Sequence, residues 1–71
     1  MENKKQKFER LVNKRVNNAL KQLDLVGNLS NKNVYDYSED EINQVIEVLN
    51  KKIRELKTRF SQGLSSINFK L

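Results

Sequence analysis

The chain has 71 residues, a formal net charge of +5, and no cysteine, histidine or proline. Disulfide bonds are excluded, the Cys/His ligand sets of zinc sites are absent, and so are the commonest general base and the strongest nucleophile of enzymes. A chain of this length is one domain at most; single cores below roughly 70–80 residues rarely supply more than ~3–5 kcal/mol, so self-association is the expected route to stability.

The first helix is expected over residues 4–26. Val12, Val16, Ala19, Leu23 and Val26 recur at alternating spacings of four and three, and Phe8, Leu11 and Leu20 widen the apolar face. Lys5 and Glu9 are spaced for an exposed ion pair. Gly27 follows the last periodic residue, where a glycine can adopt the left-handed conformation that ends helices.

Residues 27–37 read Gly-Asn-Leu-Ser-Asn-Lys-Asn-Val-Tyr-Asp-Tyr, a density of Asn and Ser that favours turns. Leu29, Val34, Tyr35 and Tyr37 make this more than a bare linker.

A second helix is expected over residues 39–62. Ser38 with Glu41 forms a capping box, and Glu39, Asp40 and Glu41 suit the positive end of the helix macrodipole. Ile42, Ile46, Leu49, Ile53, Leu56 and Phe60 then repeat at four and three, broadened by Val45 and Val48. Glu47 with Lys51 and Glu55 with Arg59 are spaced as i,i+4 pairs, and Gly63 is expected to end the pattern. The tail over 64–71 carries Ile67, Phe69 and Leu71 at period two, which reads as a short strand or an arm.

The expected fold is therefore all-α, an antiparallel hairpin of helices 4–26 and 39–62. A lone hairpin leaves part of each stripe wet. Val12, Val16, Ala19, Leu23, Ile46, Leu49, Ile53, Leu56 and Phe60 form the expected seam of a homo-oligomeric bundle, a dimer or larger.

Charge is unevenly spread. Residues 1–26 and 50–71 are net basic and the stretch between them is net acidic. An antiparallel hairpin would gather Lys4, Lys5, Lys7 and Arg10 with Lys51, Lys52, Arg54, Lys57 and Arg59 at one cationic pole suited to phosphates. The competing reading is solvated helix faces whose basic residues complement the macrodipole. A second candidate set is Arg15, Asn17, Asn28, Asn31, Tyr35 and Tyr37, which offers base-edge hydrogen bonding, ring stacking and a phosphate partner. There the structural reading is that Asn28 and Asn31 turn the backbone and the tyrosines close the core. The Glu39, Asp40 and Glu41 run is explained by the helix N-terminus; consecutive helical residues diverge by about 100° and do not converge on a metal. No metal or cofactor is expected.

No segment approaches the ~20 apolar residues of a membrane span, and no apolar stretch follows the N-terminus as a signal peptide requires. A cytoplasmic location in a bacterial host is the expectation. The stretch from Lys14 to Ser38, with Arg-Val-Asn-Asn-Ala-Leu, then Gly-Asn-Leu-Ser-Asn, then Tyr-Asp-Tyr, resembles a group of short helical-hairpin proteins of bacteria, prophages and mobile elements. The resemblance implies a helical hairpin and a phage or mobile-element origin, and lends no residue a role. The leading expectation is a non-enzymatic oligomeric binder of nucleic acid or a nucleotide. The alternative is a phage anti-defence protein, for example an anti-CRISPR, that inhibits a host defence protein by direct binding.

Overall fold

The computed structural model of the chain describes residues 1–68. They form helix α1, Lys4–Gly27, a single 3₁₀ turn, Asn28–Ser30, and helix α2, Glu39–Asn68, with no strand among the described residues. The chain divides into two units, Met1–Asp36 and Tyr37–Leu71.

Both helices begin with the same device. The Asn3 side chain accepts the Gln6 N–H at 2.8 Å, and the Gln6 side chain accepts the Asn3 N–H at 3.1 Å. In α2 the Ser38 hydroxyl accepts the Glu41 N–H at 3.1 Å, and the Glu41 carboxylate accepts the Ser38 N–H at 2.9 Å. Each box satisfies two amides that the helix itself leaves without acceptors, a contribution of about 1 kcal/mol for the cap residue. The Ser38–Glu41 box is the one anticipated from sequence; the Asn3–Gln6 box is not.

The two glycines correct the expected helix ends. Gly27 is right-handed at φ −60° and ψ −30°, and no described residue has a positive φ. The chain leaves α1 by tightening: the Asn28 N–H still bonds the Asp24 carbonyl, and a 3₁₀ turn follows. Gly63 does not end α2, which runs on through Asn68, beyond the expected limit at residue 62. Nothing lies within 4 Å of a Cβ built at Gly63. Glycine costs a helix interior up to ~1 kcal/mol relative to alanine. With no proline after it to remove an amide, that cost does not break the hydrogen-bond ladder. The strand or arm expected over 64–71 is accordingly helix over 64–68, while Phe69, Lys70 and Leu71 lie outside the described residues.

Between the helices Asn31 organises the turn. Its side-chain oxygen accepts the Asn33 N–H at 3.0 Å, and its backbone carbonyl accepts the N–H groups of Val34 and Tyr35 at 3.1 and 2.9 Å.

Over residues 1–65 no residue is buried. Leu11, Val12, Tyr37 and Leu49 are half-buried, and the rest of both apolar stripes is exposed. On α2 Ile46, Phe60, Ile53 and Leu64 are 50%, 56%, 60% and 62% exposed, and Val48, beside the stripe, is 67% exposed. With 3.6 residues per turn, Ile42, Ile46, Leu49, Ile53, Leu56 and Phe60 fall along one face of α2, and Gly63 lies in line with them.

Candidate anion-binding surface

The cations of α1 are partly spoken for within their own unit. Arg10 grips Glu2 with two guanidinium nitrogens, at 2.7 and 3.0 Å, and this hydrogen-bonded partner pushes the guanidinium further above its ordinary range. Lys5 pairs with Glu9 at 3.7 Å and lies 6.0 Å from the Phe8 ring centre. Lys4 and Lys7 complete the group in the first turn.

On α2 the basic residues are denser and less compensated. Lys51, Lys52, Arg54, Lys57 and Arg59 occupy less than three turns, with Glu55 as the only carboxylate among them. Glu55 takes Lys52 at 2.8 Å, three residues before it, in place of the expected pairing with Arg59 four residues after. The Lys52 hydrogen bond, reinforced by its charge and more weakly by that of Arg59, holds the Glu55 carboxyl below the usual carboxylate range. Glu47 and Lys51 form no ion pair. Lys51, Arg54, Glu55, Thr58 and Arg59 line a shallow, open depression, in which the Thr58 hydroxyl donates to the Arg54 carbonyl at 3.1 Å. Lys51, Arg54 and Thr58 succeed one another at three and four residues. They share a face pointing away from the apolar stripe, since Lys51 lies about 200° round the helix from Leu49. Such a surface presents donors to a phosphate from one side and cannot enclose a small molecule.

The second candidate set is spread along the chain. Arg15 and Asn17 lie in the middle of α1, while Asn28, Asn31 and Tyr35 follow its end. Roughly 13 residues of helix, about 20 Å, separate Arg15 from Asn28. Asn28 serves as the C-cap of α1, and Asn31 is engaged in its turn. Tyr37 falls in the second unit, half-buried just before α2. Unit 1 therefore does not bring Arg15 together with the asparagines of the loop.

Among the described residues no group of three His, Cys, Asp or Glu could hold a metal ion, and no helix is long and apolar enough to cross a membrane. The fold and surface thus define a class: an all-α chain of two amphipathic helices with a cationic segment on the second. No family model matches the sequence, and neither a curated protein nor a solved structure matches it.

Proposed function

We propose that the chain is a non-enzymatic helical binding protein that presents the segment from Lys51 to Arg59 to an anionic ligand, nucleic acid or a nucleotide. The observation that carries this is the imbalance on α2. Five cations meet one carboxylate there, whereas Glu2 and Glu9 offset the comparable group on α1. The open, one-sided surface favours the phosphate backbone of a nucleic acid, which supplies anions along a line, over a mononucleotide, which needs walls.

The proposal includes a hairpin of α1 and α2 that self-associates into a bundle. Two largely exposed apolar stripes, with no buried residue over 1–65, support it, because each stripe forfeits its transfer free energy until something covers it.

The test is binding of a fluorescent oligonucleotide across a salt series, with the native chain and with Lys51, Lys52 and Arg54 all reversed to Glu. Each phosphate contact adds roughly −0.9 to the slope of log K against log salt on duplex DNA. The native chain is expected to give a slope of about −2 to −4 and the variant a flatter one with binding at least ~10-fold weaker. Equal affinity and slope for the two chains would remove the basic segment from the function. A native chain that ignores nucleic acid and instead forms a stoichiometric complex with one host protein would favour the inhibitor reading.

A further inference from the structure

We infer that the apolar stripe of α2 is covered by α2 of a second copy of the chain, running antiparallel, with the two-fold axis near Leu49. The inference rests on the self-association proposed above and specifies which helix meets which and in what direction.

Charges border the stripe on both sides and set its polarity. Glu39 and Lys57 are about five full turns apart at 3.6 residues per turn, so they lie at the same position around the helix. The same holds for Glu41 and Arg59. Relative to Leu49, the first pair borders one edge of the apolar stripe and the second pair borders the other. Each edge is therefore acidic near the start of α2 and basic in its later half.

Charges that flank an apolar seam choose the orientation of a partner helix. A parallel second copy would bring opposite edges together, setting Glu39 near Glu41 of the partner subunit and Lys57 near Arg59 of the partner subunit, like charge against like. An antiparallel copy sets Glu39 near Lys57 of the partner subunit and Glu41 near Arg59 of the partner subunit. Both matches need a two-fold axis within about one residue of Leu49, and Leu49 is the one half-buried position of the stripe, between Ile42 and Leu56. Lys52 already pairs with Glu55 at 2.8 Å, so Lys57 and Arg59 carry most of the basic border. Lys51 and Arg54 point away from the stripe and stay on the outside of the pair, where the proposed anionic ligand would meet them.

The chain has no cysteine, so one introduced thiol carries one spin label. The experiment combines sedimentation velocity with electron–electron distance measurement on two variants of the full chain, Gln62→Cys and Asn50→Cys. In the antiparallel pair the labels at Gln62→Cys are displaced by about 39 Å along the axis, some 13 residues on each side of Leu49 at 1.5 Å per residue. Those at Asn50→Cys lie within about 20 Å, given helices packed 8–10 Å apart. Short distances at both sites would mean a parallel pair and overturn the inference while leaving self-association intact. Long distances at both would mean that another surface joins the copies, with the same consequence. A monomer at tens of micromolar would overturn self-association itself and the inference with it. A charge exchange adds a second readout. Glu39→Lys or Lys57→Glu alone is expected to weaken association several-fold, and the double variant to restore it; no restoration would count against the antiparallel match.

Discussion

The two helices start alike and then treat charge in opposite ways. Each opens with a reciprocal capping box, Asn3 with Gln6 and Ser38 with Glu41. Behind its box α2 has Glu39, Asp40 and Glu41 in the first turn, where the helix dipole favours them. α1 has no acidic residue in its first turn and no basic one in its last. Lys4, Lys5 and Lys7 sit at its positive end, offset in part by the grip of Glu2 on Arg10. Local electrostatics thus assist α2 and oppose α1. α2 is therefore the more self-sufficient helix, and α1 depends more on its cap and on whatever covers its stripe.

The largest expected effect comes from the apolar stripe of α2. Replacing Ile53 by Asp places a charge in the proposed seam of α2, and burying an isoleucine side chain is worth about 1.5–3 kcal/mol. Association measured by sedimentation should weaken at least ~10-fold, while Val48→Asp, off the centre of the stripe, should change it much less. Next comes the cap. Asn3→Ala and Ser38→Ala each remove an N-cap worth about 1 kcal/mol. Circular dichroism during thermal unfolding should show the larger loss for Asn3→Ala, because no first-turn carboxylate remains to hold α1. Equal losses would show that the two helices melt as one unit.

Gly63→Ala should raise the stability of α2 by up to about 1 kcal/mol, since the backbone there is helical and a methyl group meets nothing within 4 Å. If instead it destabilises an associated form, a partner helix passes close to Gly63. Smaller still are single charge reversals in the first turns. Lys4→Glu should stabilise α1 and Glu39→Lys should destabilise α2, each by about 0.3–1 kcal/mol, with both effects shrinking in high salt.

The smallest effect is on acidification. The folded Glu55 carboxyl titrates below its ordinary value because of Lys52, so its contribution is fully present above that ordinary value. It is lost as pH falls through the lowered one. Helicity followed over the carboxylate range should decline less steeply in Glu55→Gln than in the native chain. Both groups are exposed, so a small change is expected.

The helices and their apolar faces were legible because a 3.6-residue period survives in any list of residues, and Ser38 announced α2 through Glu41. The Asn3–Gln6 box went unread because it uses the less familiar pair for the same geometry. Gly27 and Gly63 misled because glycine permits a left-handed exit without compelling one. The grip of Glu2 on Arg10 joins a residue that precedes the helix to its second turn, a distance that no helical spacing rule covers. Of the candidate surface, the cations of α2 were visible by count. That Lys52 rather than Arg59 takes Glu55 depends on which side-chain conformation brings a nitrogen nearest, and sequence does not record that.

The long unbroken run of α2 has a consequence for how its charges are felt. Its acidic first turn and the middle of its basic segment are about 15 residues apart, which is roughly 22 Å of rigid helix. The Debye length is about 8 Å at 0.15 M salt and about 30 Å at 0.01 M. In dilute buffer a polyanion approaching the helix therefore meets a single macroscopic dipole, attracted at one end and turned away by the other. At physiological ionic strength the two ends are electrically out of earshot, and the basic segment acts as though the acidic turn belonged to a different molecule.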